Sequence, residues 1–142
     1  MVASIPEIAR RFANAVKGEA DANFAELFAA KVTVGHVYDE QMMEADAAGI
    51  IAATLNDEPG FRRLMPDYTP SDIRVFCGED GFSIARTVAG TLSDGTKISY
   101  PFCAVATVED GKIVRIDAYQ DRQQAAPLGA AMQALHAAQP AE

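Results

Sequence analysis

Two side chains in this sequence are suited to moving a proton, Asp121 and His36, and a third, Arg86, to stabilising the negative charge that results. Asp121 closes the run GKIVRIDAYQD, two residues after Tyr119. A carboxylate there becomes a usable base if an apolar wall raises its pKa toward working pH. Imidazole titrates near neutrality, so His36, at the end of the apolar run KVTVGH, can act as acid or base. In a His36–Asp121 dyad the carboxylate would orient the imidazole. The plainer readings are that Asp121 caps a following helix or pairs with Arg122 or Arg86, and that His36 is a hydrogen-bonded core residue. Arg86 lies amid Ile84, Ala85 and Val88. A buried arginine needs a partner, and Asp121 or Asp117 could supply it. Arg86 can also stabilise charge developing on a substrate oxygen. Tyr38, Tyr100 and Tyr119 are possible donors to a ligand oxygen, or core and interface residues. Cys103 has no basic neighbour in sequence and reads as packing rather than as a nucleophile. His136, the other histidine, reads as a surface residue near a helix C-terminus, where positive charge is favoured.

The elements that position these groups follow from local pattern. Ser4-Ile5-Pro6-Glu7 has the form of a capping box, and Ile5, Ile8, Phe12, Ala15 and Val16 recur at helical spacing up to Gly18. Asp21 is placed to cap a second helix carrying Phe24, Leu27 and Phe28. Val32 to Tyr38 reads as a strand, Asp39 to Glu44 as a polar loop, and Asp46 as the cap of a third helix running to about Leu55. Asn56 to Gly60 breaks that helix, and Phe61 to Pro66 reads as irregular. The pairs Arg10-Arg11 and Arg62-Arg63 read as solvated. From Ser71 the pattern is strand: Ile73–Cys77, Phe82–Leu92, Lys97–Val108 and Lys112–Asp121. Gly78-Glu79-Asp80-Gly81, Ser93-Asp94-Gly95 and Asp110-Gly111 separate them, three hairpin signals that predict an antiparallel meander. Period-2 alternation puts Ile113, Arg115, Asp117, Tyr119 and Asp121 on one face and Val114, Ile116 and Ala118 on the other. A terminal helix is expected over about 125–139, started by Pro127. Helices first and a long sheet after is an α+β pattern. The helices can cover one face of such a sheet, which predicts a homodimer through the other.

Composition narrows the function. The chain has 142 residues, 49% hydrophobic and 23% charged, which predicts a single domain over 1–142 with its core at about 4–122. The net charge of −8, from 12 basic and 20 acidic residues, argues against nucleic-acid and anionic-membrane surfaces. No run approaches the ~20 apolar residues of a membrane span, and the first residues show no signal-peptide apolar core, so the expectation is a cytoplasmic protein. Cys77 and Cys103 lack CxxC spacing and read as reduced, buried thiols. Two distant histidines do not suggest a metal site. No phosphate-binding loop, GxGxxG or GxSxG occurs, so no nucleotide cofactor is expected.

This order of elements, with a Pro-led strand (YPFCAV), then DGKI, then an aromatic two residues before an aspartate (Tyr119, Asp121), resembles the nuclear transport factor 2 superfamily, and within it the SnoaL-like group. The resemblance covers about residues 4 to 122. It implies a cone-shaped α+β barrel of the cystatin-like kind, a curved antiparallel sheet wrapped around N-terminal helices, with an apolar pocket between them. Members include polyketide cyclases, ketosteroid isomerases, limonene epoxide hydrolases, dehydratases and non-catalytic modules. Asp121 matches the general base of SnoaL-like cyclases. Arg86 matches the arginine of the epoxide hydrolase's Arg-x-Asp pair, but Val88 stands where its aspartate would be, which weighs against epoxide hydrolysis. His36 falls at the position of the ketosteroid isomerase base. Cys103 and Phe12 fall at or near its two oxyanion donors, which weighs against steroid isomerisation. The resemblance implies a cofactor-independent cyclase, isomerase or dehydratase acting on a small apolar, aromatic or polyketide-like molecule. Asp121, His36 and Arg86 would be catalytic, and Tyr38, Cys103, Tyr119, Phe12 and Val88 would line the pocket. The alternative is a non-catalytic dimeric module binding a ligand or a protein.

Overall fold

The computed structural model describes residues 2–36, 43–46, 60–69 and 71–138. Helix α1 (Ile5–Val16) opens as its sequence predicts, with the Ser4 hydroxyl accepting the Glu7 amide at 3.3 Å, and stops before Gly18, whose φ is +87°. The α-helix expected after Asp21 does not form. Asp21 is committed instead to Arg11, whose Nε and Nη2 donate to its two carboxylate oxygens at 2.8 and 2.9 Å. The Arg10-Arg11 pair is therefore not simply solvated. A 3-10 turn, Phe24–Leu27, replaces the helix, and Phe28 already belongs to a strand.

The strands are β1 (Phe28–His36), β2 (Met43–Asp46), β3 (Ser71–Cys77), β4 (Gly81–Thr91), β5 (Lys97–Glu109) and β6 (Lys112–Gln120). Their order in one sheet is β2-β1-β6-β5-β4-β3. The meander β3 to β6 is antiparallel, as its turns predict. At the β5–β6 turn both Asp110 (φ 52°) and Gly111 (φ 75°) adopt the left-handed backbone that a two-residue hairpin requires. Two features differ from the expected antiparallel barrel. β1 joins β6 in parallel, so the sheet is mixed, and β2 and β3 are edges, so it does not close. The architecture is an α+β cone of open form.

Glu44 and Asp46, expected in a loop and a helix cap, lie in β2, which pairs with β1. The rest of the third predicted helix lies outside the described residues, as does Tyr38. Residues 60–64, expected to be irregular, are helical. The terminal helix α2 (Arg122–Ala137) starts before Pro127, which falls inside its second turn. The Asp121 carboxylate starts it by accepting the Gln124 amide at 2.7 Å. No described helix is long and apolar enough to cross a membrane.

Among the described residues, the helices pack on one face of the sheet, here the inner face. A first cluster joins Ile8, Phe12 and Val16 of α1 to Phe82, Ile84, Ala104, Ala106 and Ile116. A second joins Phe61, Met65 and Tyr68 to Val88, Ile98 and Tyr100, closed by Ala125 and Leu128 of α2. The outer face carries Ala85, Pro101, Cys103, Val105 and Tyr119, with no described element over it.

Candidate functional site

Alternation along β4 determines where its one arginine goes. Phe82, Ile84 and Val88 are buried inward, and Arg86 falls between Ile84 and Val88 on the same parity. Its cross-strand neighbour on β5 is Phe102, which packs against both clusters, and Phe102 in turn pairs with Gln120 on β6. A cation thus lies at the seam between two apolar clusters. The Arg86 guanidinium carbon stands 5.4 Å from the Phe102 ring centroid, over its face. Arg86 Nη1 donates to the Tyr68 hydroxyl at 3.0 Å. Tyr68 is only 5% exposed and packs edge-on against Phe61.

The sequence had offered Asp121 or Asp117 as partners for Arg86, and an acceptor observed for it is the Tyr68 phenol. Asp117 lies on the outer parity and holds Arg115 at 3.0 to 3.1 Å, which keeps the Arg115 guanidinium above its ordinary pKa. Asp121, exposed at the end of β6, is the cap of α2. Tyr68 escaped notice because it lies in a stretch without periodicity (RLMPDYTP), where no pattern assigns a side chain to a face.

The remaining sequence candidates divide between the two faces. Val88 is buried in the second cluster opposite Tyr100. Phe12 is buried in the first, its ring 5.7 to 6.4 Å from those of Phe24, Phe28 and Phe82. Cys103 pairs with Ala85 and Tyr119 and faces outward with them. Together with Arg74, Pro101 and Asp121 they line an outer groove of about 530 Å³, which Arg86, Phe102 and Gln120 also border. That volume is in the ligand-pocket range. Cys77, expected to be buried, is exposed because it ends the edge strand β3. The backbone of His36 ends β1 in register with Ala118 of β6. Since β1 and β6 run parallel, His36 and Asp121 mark the same end of the sheet. Among the described residues, no three His, Cys, Asp or Glu side chains cluster as metal ligands would.

Chemically, the inner site offers a guanidinium fixed on its face by an aromatic ring and on its edge by a phenol, in apolar surroundings. Such a group favours negative charge on a ligand oxygen.

Comparison with known proteins gives the same architecture. No curated protein matches the sequence. Among solved structures, a nuclear transport factor 2-like protein of Burkholderia thailandensis superposes with a TM-score of 0.63 at 18% identity, over 88% of this chain and 97% of that one. A candidate polyketide cyclase of Pseudomonas putida gives 0.62 at 19% identity, over 86% and 95%. A candidate isomerase of Bacillus subtilis gives 0.58 at 15% identity, over 89% and 93%. At these identities the likeness is one of fold. The model of the SnoaL-like domain matches residues 9–116, most of the chain and all but the last strand's end of the meander, and the protein belongs to that family.

Proposed function

We propose that the protein binds a small apolar molecule against the inner face of the sheet and moves a proton on it without a cofactor, as a cyclase, isomerase or dehydratase does. The observation that carries this reading is Arg86, held at the seam of two apolar clusters by Phe102 and Tyr68. A cation in that setting stabilises the oxyanion of an enolate or a tetrahedral adduct far more than water does. The base in this reading is His36 or Asp121, both at the shared end of β1 and β6. Asp121, which also borders the outer groove, would have to serve the inner face around that end of the sheet. β4 and β1 are three steps apart in the sheet, about 14 Å at ~4.8 Å per step on a flat sheet. Curvature shortens that to the scale of a fused-ring substrate. The names of similar structures, candidate polyketide cyclases and an isomerase, support that class.

The test is solvent-deuterium exchange, followed by proton NMR, at the enolisable position of cyclic ketones and aromatic β-keto esters. The wild type should accelerate exchange, and Arg86→Met should lose about 100- to 1,000-fold of it, the size of one oxyanion donor. A second reading has its own support. Val88 and Phe12, which stand where related enzymes carry polar groups, are packed into the apolar core. If ligands raise the melting temperature while exchange stays at the buffer rate, the protein is a binding module.

The outer face is, in the same reading, the homodimer surface. Phe76 (56% exposed) and Tyr119 (45% exposed) flank half-buried small residues there. Sedimentation should give a dimer that Tyr119→Lys weakens.

A further inference from the structure

We propose that residues 65–68 form a strap that positions Arg86, with Tyr68 as its contact and Asp67 as its anchor. Three of its attachments land on β4. Met65, fully buried, occupies the space that a side chain at position 90 would take: a Cβ on Gly90 would come within 2.7 Å of the Met65 sulfur and 2.8 Å of its Cβ. Asp67 accepts the Thr91 amide at 2.7 Å on one carboxylate oxygen and the Thr91 hydroxyl at 2.8 Å on the other. Tyr68 accepts Arg86 Nη1 at 3.0 Å. The Met65 amide donates to the Phe61 carbonyl at 2.8 Å and braces the strap on the helical residues before it, and the Tyr68 amide donates to the Met65 carbonyl at 2.8 Å and closes the strap on itself.

The physical need for a strap follows from the arginine. Its side chain has several rotatable torsions, and a ring beneath it fixes the height of the guanidinium but not its rotation in the plane. Tyr68 supplies an acceptor at the edge, and the two contacts together define the plane and its direction. The phenol can do this only if its own backbone is immobile. Residues 65–69 have no ladder partner, so their immobility comes from the Gly90 notch and from the bidentate clamp of Asp67 on Thr91. Asp67 touches neither Arg86 nor any inner-face group. It acts through Tyr68, and both are positioning residues.

This inference rests on the reading of Arg86 as the oxyanion-stabilising group, but the mechanical coupling can be measured without any substrate. The experiment records the Arg86 Nε–H resonance and its solvent exchange in the full chain for wild type, Tyr68→Phe, Asp67→Ala, Thr91→Val and the Asp67→Ala/Tyr68→Phe double variant. Tyr68→Phe keeps the ring against Phe61 and removes only the acceptor, so exchange should rise about tenfold, the weight of one hydrogen bond. Asp67→Ala should act in the same direction, and Thr91→Val, which keeps the amide half of the clamp, less strongly. The double variant should equal Tyr68→Phe alone, because in the strap Asp67 acts on Arg86 through Tyr68. In the ketone assay the same variants should lower kcat with KM unchanged. An Arg86 resonance indifferent to Asp67→Ala and Thr91→Val, or effects that multiply in the double variant, overturns the strap. If the wild type exchanges no ketone while Arg86 still responds to Asp67, the catalytic reading fails and the strap stands.

Discussion

The two core clusters share the same strands and differ in what they tolerate. Around Phe12 the packing is aromatic: Phe12, Phe24, Phe28 and Phe82 stack at tilted and edge-on angles between α1 and the sheet, with neighbouring centroids 5.3 to 6.4 Å apart. Around Tyr68 the packing carries polar heads. Tyr68 and Tyr100 are buried there, and Arg86 borders them. Phe102 belongs to both surroundings. The first cluster closes the fold by area alone. The second is fastened by specific hydrogen bonds, at Asp67 and at Tyr68, because polar groups buried without partners would cost more than their packing returns. The proposed chemistry would sit where the core is built with directional contacts anyway.

The comparison predicts that damage to the two clusters separates into stability and function. Phe12→Ala empties a large volume from the first cluster and should cost about 3–5 kcal/mol in urea unfolding. It should leave the Arg86 resonance of the folded fraction unchanged. A Phe12→Ala protein that unfolds like the wild type would mean that α1 is not the keystone described here.

Gly90→Ala is the counterpart in the second cluster. Its Cβ meets the Met65 sulfur and Cβ under 3 Å, so overpacking should cost about 1–3 kcal/mol. Because Met65 belongs to the strap, this variant should also loosen Arg86, which Phe12→Ala does not. Equal behaviour of the two variants at Arg86 would dissolve the distinction between the clusters.

How much of this could be read from sequence depends on periodicity. The strands from Ser71 onward are punctuated by Asp-Gly turns, so their limits were legible to within a residue or two. Their faces were less so: the sequence left Arg86 either paired in the interior or facing solvent, and the ladder puts it on the inner parity. A register shift between Thr107 and Val108 takes Ile113 into the core, away from the face of Arg115 that alternation assigned it. Ser4 and Gly18 marked α1 for the same local reason. Asp21 misled because an aspartate before apolar residues reads as a cap, and only the fold brings Arg11 within reach of it. The terminal helix was placed late because Pro127 suggested a start, while Asp121, read as a base, was also the cap. Tyr68 was invisible for a deeper reason. Its role comes from a pairing 18 residues away in sequence, between an aperiodic stretch and a strand, and no local pattern encodes such a contact.

Asp121 therefore has two candidate roles, and a pair of variants separates them. Asp121→Ala should cost about 0.5–2 kcal/mol as a lost helix cap. Asp121→Asn keeps a capping oxygen and should restore most of that loss. If Asp121 is also the base, Asp121→Asn should still abolish deuterium exchange despite normal stability. Full exchange in Asp121→Asn would assign the proton to His36.

Falling pH should produce the smallest effect, and it touches both regions by the same means. The Arg11 guanidinium holds the Asp21 carboxyl below its ordinary value of 3.8, and the Thr91 amide and hydroxyl hold Asp67 below the same value. A carboxyl whose folded pKa lies below its unfolded one contributes stability that is fully present above 3.8 and is lost as pH falls through the folded value. Acid therefore loosens the tie between α1 and the 3-10 turn on one side and the strap on the other. Both carboxylates are exposed, so each contribution is modest and screened by salt. Asp21→Asn and Asp67→Asn should each flatten the decline of the urea midpoint below that pH, and only Asp67→Asn should also flatten the acid response of the Arg86 resonance. Two variants with identical Arg86 titrations would show that the clamp on Thr91 carries no information to the arginine, and that the two clusters respond to acid as one body.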